Sequence, residues 1–435
     1  MDNFLCFLWL VILLLDLFIT KSMSAFVPTS RYYQGSVIIG NKIYFLGGID
    51  KTGTGTNNIF YLDVSSPFYS VNPKWTDLTS VAPIPVNSAF APSCVGGSNK
   101  DTIFLFEHHR TNNDNSTSLV TFAFDSTTQK WSAPTTSGAI PQTRQDMRAV
   151  VDNNGNIYIN GGFEPSITQK SYNSTFILNS LSLSWTNGPN APIIRSAYTA
   201  TLLSSGLILY IGGTNDDPSP EINMNSISVY NTNIGTWSLM NAIGDVIAPR
   251  QSHSAVLNKN GFIVIYGGAA NNYTVAPNPA LATLDTNSMP YKWSAKQFNS
   301  VYAPPPLAYH SAQIFGDYMF IAFGVSLINA KFDLATAPNN NIFILDTSNY
   351  TWVSSIINVN VNSSFVGPPN PNPTTSTSST PAGNNSSPIT IPLIAGLGSL
   401  LGAFIIIASI IGIVFCCRKK KRQHYYATAG TNTRI

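Results

Sequence analysis

The chain has 435 residues, of which 43 are charged, 10% of the total against the roughly 25% usual in globular domains. With 44% apolar residues, this excludes a charged, disordered chain and a surface built from ion-pair networks. The net charge of +3 includes six basic residues in the last 18 positions, so the remainder is acidic by three and holds no basic nucleic-acid-binding domain.

In chain order, residues 4–15 form an apolar run of 12, too short to span a bilayer comfortably. Ser22, Met23, Ser24 and Ala25 follow as small residues that suit signal cleavage, so 1–24 is expected to be a signal peptide. Two features depart from that pattern: no Lys or Arg precedes the run, and Asp2 does. Cleavage removes Cys6 and leaves Cys94 as the only thiol ahead of the membrane span, so an ectodomain disulfide framework is excluded.

Residues 25–356 repeat. Trp75, Trp131, Trp185, Trp237, Trp293 and Trp352 are spaced 56, 54, 52, 56 and 59 apart. Apolar runs ending in glycine pairs keep the same beat at Gly47-Gly48, Gly161-Gly162, Gly212-Gly213 and Gly267-Gly268. Two repeats depart from it: Phe106 is followed by Glu107 and His108, and Phe323 by Gly324 and Val325. The fifth repeat shows the internal plan. Apolar residues to Leu257 lead into a turn at Asn258-Lys259-Asn260-Gly261, a second run to Gly268, a longer loop, then Ala282 to Asp285 and Lys292-Trp293. Strands this short, bounded by Gly and Asn turns, predict an all-β array of four-stranded propeller blades. Glycine at the end of the second strand permits close backbone approach, and the Trp ring fills the gap between blades. Six blades are expected, with a seventh assembled from the termini as the alternative.

Residues 357–390, rich in Pro, Ser, Thr and Asn, cannot form a core and read as an extended stalk. Residues 391–415 carry no charge over 25 positions, enough for a transmembrane helix. The basic cluster from Arg418 to Arg422 then places the tail, 416–435, in the cytosol. The expected topology is single-pass type I at the plasma membrane, with the propeller outside. Cys416 and Cys417 are candidate palmitoylation sites, and Gly398 and Gly402, one helical turn apart, are candidates for helix packing in a homodimer.

The glycine pairs, the Tyr- or Phe-bearing third strands (Tyr61, Phe124, Tyr230), the regular Trp and an opening arginine at Arg31, Arg144, Arg195 and Arg250 closely resemble the Kelch-repeat β-propeller family. That resemblance implies an interaction scaffold. A rival enzymatic reading is a copper-radical oxidase similar to galactose oxidase, which also uses a Kelch-type propeller. Tyr309-His310 looks like its ligand pair and Cys94 stands in the corresponding strand of repeat 2. The strand that should carry the crosslinked Tyr reads Arg144-Gln145-Asp146-Met147-Arg148, without one, and no C-terminal domain brings the second His. His253 and His310 occupy one position of an ordinary first strand. His108-His109 beside Glu107 and the loop Asn215-Asp216-Asp217 are weaker metal candidates, better explained as solvated residues.

Sequons occur at Asn115, Asn173, Asn272, Asn349, Asn362, Asn384 and Asn385. Long loops between second and third strands (163–174, 214–225, 269–280 and 325–340) leave by one face and make a binding platform. The function expected is therefore binding of an extracellular protein or glycan, without catalysis or cofactor. A structural wall-associated glycoprotein is the remaining class.

Overall fold

Each repeat folds onto itself as an antiparallel sheet, because its short apolar runs are joined by tight Gly- and Asn-containing turns. The computed structural model describes residues 26–107, 118–164, 171–215, 221–270, 274–298, 301–327 and 338–356. The signal segment, the stalk, the span and the tail lie outside the described residues. So do His108, His109, Asn115, Asp216, Asp217, Asn272, Asn362, Asn384, Asn385, Gly398, Gly402, Cys416 and Cys417.

Blade 1 comprises Gly35–Ile39, Lys42–Leu46, Ile59–Asp63 and Trp75–Asp77. Blade 2 comprises Ser93–Gly96, Thr102–Glu107, Val120–Asp125 and Lys130–Ser132. Blade 3 has Ala149–Val151, Asn156–Asn160, Thr175–Asn179 and Ser184–Asn187. Blade 4 has Thr199–Leu202, Leu207–Ile211, Ser226–Asn231 and Thr236–Asn241. Blade 5 is built of Ser254–Leu257, Phe262–Tyr266, Leu281–Asp285 and Lys292–Ala295. Blade 6 is built of Ser311–Phe315, Tyr318–Ala322, Ile342–Asp346 and Thr351–Val353. In blades 3 and 5 the incoming chain adds a short parallel strand at the outer edge, Ser137–Gly138 and Ile243–Gly244.

The first strands of successive blades adjoin one another in a closed circle, blade 6 meeting blade 1. Among the described residues six blades therefore complete the circle, leaving no gap for a seventh. Second strands such as Phe262–Tyr266 are almost continuously apolar because each sheet is covered on both faces by its neighbours. The hydrophobic interior accordingly forms layers between blades. Ile211 and Met224 of blade 4 pack with Ile265 and Trp293 of blade 5, and Phe45 and Phe60 of blade 1 pack with Phe320 and Ile344 of blade 6.

Every repeat tryptophan reaches back to the blade before it. The indole N–H groups of Trp131, Trp237 and Trp293 donate to the carbonyls of Ala82, Pro189 and Met224 at 3.0, 2.9 and 3.2 Å. Trp75, Trp185 and Trp352 lie against Phe323, Phe106 and Tyr266, with ring centroids 5.9, 5.6 and 5.1 Å apart. The glycine pairs stitch in the other direction. The N–H of the second glycine donates to the next blade at the position of the opening residue: Gly48 to Ser88, Gly162 to Arg195, Gly213 to Arg250 and Gly268 to Leu307, all at 2.8–2.9 Å. Gly324 donates in the same way to Arg31 at 2.9 Å, crossing from blade 6 to blade 1.

The circle closes without strand exchange. Ser355–Ile356 pairs antiparallel with Phe68–Tyr69, tying the end of blade 6 to the outer part of blade 1. Nearer the axis, Gln34 Nε2 donates to Ser311 Oγ at 3.1 Å and Gln313 Nε2 donates to the Ser36 carbonyl at 2.8 Å.

Candidate functional site

The opening arginines explain how the mouth of the central channel is built. Arg250 donates from Nη1 to the Gly267 carbonyl at 2.9 Å, from Nη2 to Pro279 at 2.8 Å and from Nε to Ala248 at 3.1 Å. Arg31, Arg144 and Arg195 likewise donate to the carbonyls of Gly47, Gly161 and Gly212. All four are buried, and burial pulls each guanidinium down to about 10, still protonated at neutral pH. Apart from Arg195 Nε, which has no partner, their bonded donors go to backbone carbonyls and to the side-chain oxygens of Thr29, Asn58, Ser174 and Ser228. They hold the frame and do not face a ligand.

Two residues after the opening position the backbone turns left-handed in every blade. Tyr33, Phe90, Asp146, Ala197, Ser252 and Tyr309 have φ between 52 and 61°. None is glycine, so each carries a conformational cost of about 1–2 kcal/mol. The return is a closed ring of backbone hydrogen bonds. Each N–H donates to the carbonyl of the equivalent residue in the preceding blade: Tyr33 to Tyr309, Phe90 to Tyr33, Asp146 to Phe90, Ala197 to Asp146, Ser252 to Ala197 and Tyr309 to Ser252, at 2.8–3.3 Å.

Outside this ring stand the stems of the loops. Gln145 pairs with Phe163, Ser196 with Thr214 and Gln251 with Ala269, while Tyr32 pairs with Ile49 and Ala308 with Val325. These stems therefore stand beside the channel mouth, on one face of the propeller.

Along the axis lies a cavity of about 190 Å³, lined by residues of all six blades. One side of its mouth is aromatic: the Tyr33 ring lies 3.6 Å from Phe90 and 4.0 Å from Tyr309, centroid to centroid. The other side carries Asp146, Arg148 and Ser252. Burial pushes the Asp146 carboxyl up to about 6, with the Arg148 charge opposing the shift. Deeper, His253 Nε2 and Thr199 Oγ1 share a hydrogen bond of 3.1 Å, and His310 Nε2 and Ser254 Oγ share one of 2.8 Å. Burial holds both imidazoles neutral, His310 down to about 3 and His253 also well below its ordinary value, with the Arg148 cation adding to each shift. The cavity is thus polar, with one carboxyl and one guanidinium.

The oxidase candidates fall apart in space or in chemistry. Tyr309 belongs to the backbone ring and His310 to the polar lining, while Cys94 is buried in the layer between blades 2 and 3. Burial raises the Cys94 thiol pKa, which keeps it protonated and weakly nucleophilic. Among the described residues no three His, Cys, Asp or Glu side chains gather as a metal site. Of the sequons, Asn349 is exposed in the turn between the last two strands of blade 6. Asn173 is half-buried, and its Nδ2 donates to the Ala191 carbonyl at 3.0 Å. The sequence does not mark Phe90, Asp146, Arg148 and Ser252, which line the channel cavity. Phe90, Asp146 and Ser252 stand two residues after the opening position and Arg148 four after it, and the repeat of Phe90 has no opening arginine to mark the place.

The KLHDC2/KLHL20/DRC7 Kelch-repeats domain matches residues 16–205, 100–324 and 197–367, overlapping spans that take in all six blades. The chain belongs to the Kelch-repeat family. Kelch domain-containing protein 3 from Bos taurus is 30% identical to this Kelch chain over 251 residues, 55% of this chain and 64% of that protein. Host cell factor 1 from Homo sapiens is 26% identical over 235 residues, 49% of this chain and 11% of that protein. The Kelch chain thus spans 64% of the length of the Kelch domain-containing protein 3 relatives that it matches. Kelch propellers generally act as interaction scaffolds for other proteins, the role that the repeat motifs implied.

Proposed function

We propose that this Kelch propeller is held at the cell surface by a C-terminal membrane span and binds an extracellular partner, protein or glycan, at the channel-mouth face. The observation that carries the reading is the mouth itself. A half-aromatic, half-charged opening is ringed by the stems of the loops, on a scaffold whose repeated Gly, Trp and Arg positions are consumed by blade packing. Rigid rings that carry side chains of mixed chemistry at one end are suited to binding rather than to bond making. The span at 391–415 and the basic residues after it support the orientation. No triad, phosphate-binding loop or zinc motif in the sequence offers a catalytic alternative.

The test uses full-length protein displayed on cells. A C-terminal tag should be inaccessible from outside, and added protease should release the propeller by cutting in the stalk. Capture of surface partners should fall at least tenfold in Phe90→Ala and Arg148→Glu, and persist in Lys259→Ala on the opposite, short-turn face. External accessibility of the tag would reverse the topology, and unchanged capture by both mouth variants would move the binding surface elsewhere.

A further inference from the structure

We infer that the channel-mouth cavity is a sugar-binding site that takes a single neutral pyranose ring, the end of a glycan chain. The inference rests on the binding face proposed above and names the chemistry of its ligand.

Three groups in the cavity are left without full partners by the fold. Asp146 is 6% exposed, and its carboxylate accepts no hydrogen bond from any described side chain or backbone group. Two residues on, Arg148 makes one side-chain hydrogen bond, a long 3.4 Å bond from Nη1 to the Met147 carbonyl beside it. Ser252 Oγ is buried and has no partner. A buried acceptor, a half-buried forked donor and a buried hydroxyl line one cavity and form a site that still needs something to bond with, since unmet polar groups are costly away from water.

The combination selects among ligands by charge. An anion would be drawn to Arg148 but repelled by Asp146, and a cation would meet the reverse. An apolar group would leave both charges desolvated. A neutral polyol satisfies the pair together: one hydroxyl donates to the carboxylate while its neighbour accepts from the guanidinium, and Ser252 serves as either donor or acceptor. A sugar ring also presents an apolar C–H face, and Tyr33 and Phe90 offer aromatic surface on the other side of the mouth. Size agrees. The 190 Å³ of the cavity is below the roughly 300–1,000 Å³ of sites for drug-sized ligands, which sets the occupant at one ring with the rest of the chain outside.

The experiment is saturation-transfer NMR on the full-length protein in detergent micelles, with the methyl glycosides of glucose, mannose and galactose as probes. At least one glycoside should show saturable transfer, weakened tenfold or more in Asp146→Asn and in Arg148→Gln. Asn tolerates the left-handed backbone at 146, and near-UV circular dichroism checks that both variants keep the native packing. Absence of transfer from all three glycosides, or equal transfer in wild type and both variants, overturns the sugar site. Capture of a surface polypeptide that depends on Phe90 and Arg148 but survives enzymatic deglycosylation also overturns it, while leaving the binding face in place.

Discussion

The backbone N–H of Tyr33 donates to the carbonyl of Tyr309 at 3.2 Å, and this bond joins the first blade to the last. It is one of six equivalent bonds around the channel mouth. A net hydrogen bond contributes about 0.5–1.5 kcal/mol, while a left-handed non-glycine residue costs about 1–2 kcal/mol. The ring is therefore close to neutral in energy. Its effect is geometric: it fixes six side chains around one opening, and stability must come from the layers between blades.

Closure should accordingly depend on packing at the seam. Ile356 is 1% exposed and packs with Phe68 and Phe320 where blades 6 and 1 meet. Ile356→Ala should cost about 2–5 kcal/mol, read from the midpoint of urea unfolding. Val27→Ala, at a position 63% exposed, should stay within about 0.5 kcal/mol. Equal midpoints for the two variants would mean that the seam is not a stabilising contact.

A pair of glycines separates conformation from contact. Gly40 and Gly161 both have positive φ, 58 and 66°. A Cβ on Gly40 would meet nothing within 4 Å, whereas one on Gly161 would lie 2.3 Å from the Arg195 carbonyl of the next blade. Gly40→Ala should cost about 1–2 kcal/mol, and Gly161→Ala roughly 3 kcal/mol or more, because backbone of another blade must move. Similar losses in both would show that blades 3 and 4 slide apart easily.

The sequence made the blades legible because packing between them repeats the same chemistry: Gly where backbones touch, Trp where a gap must be filled. Both residue types are rare enough for their spacing to stand out. The mouth has no such mark. Tyr33, Phe90, Asp146, Ala197, Ser252 and Tyr309 share a backbone conformation and a bonding role that involve only N–H and C=O groups, so the side chains are free to differ. Closure was hidden for a similar reason. Phe68–Tyr69 and Ser355–Ile356 are two-residue strands from opposite ends of the propeller, too short to carry an alternating pattern.

Regular spacing also put Trp185 and Trp237 on an equal footing, and the structure separates them. Trp185 is 1% exposed and packed against Phe106 of blade 2. Trp237 is only half-buried on the outer strand of blade 4, with Tyr210 and Tyr230 beneath it at 4.9 and 5.0 Å. Trp185→Ala should cost about 3–5 kcal/mol. The loss for Trp237→Ala should be about half that, since less apolar area leaves water on folding. Chemical denaturation of the two variants decides the order, and a larger loss at Trp237 would contradict the burial argument.

The last prediction concerns pH, where the channel groups pull in opposite directions. The Asp146 carboxyl, pushed up to about 6 from 3.8 by burial, stays protonated in the folded state over a range in which the unfolded chain releases the proton. Its contribution is therefore present in acid and is lost as pH rises from roughly 4 to 6, by about 3 kcal/mol at 1.36 kcal/mol per pH unit. His310 and His253 act with the reverse sign. Both are held neutral by burial, His310 down to about 3, so below about pH 6.5 the unfolded chain takes up protons that the fold refuses. The histidines destabilise the propeller as pH falls, and Asp146 blunts that loss. Asp146→Asn removes the blunting: the variant should be more stable than wild type above about pH 7 and should lose stability more steeply between about pH 6 and pH 4. Urea unfolding of both proteins at a series of pH values measures the difference directly, with all other titrating groups cancelling between them. Parallel stability curves would show that the Asp146 carboxyl is solvated within the channel and titrates as an ordinary carboxylate.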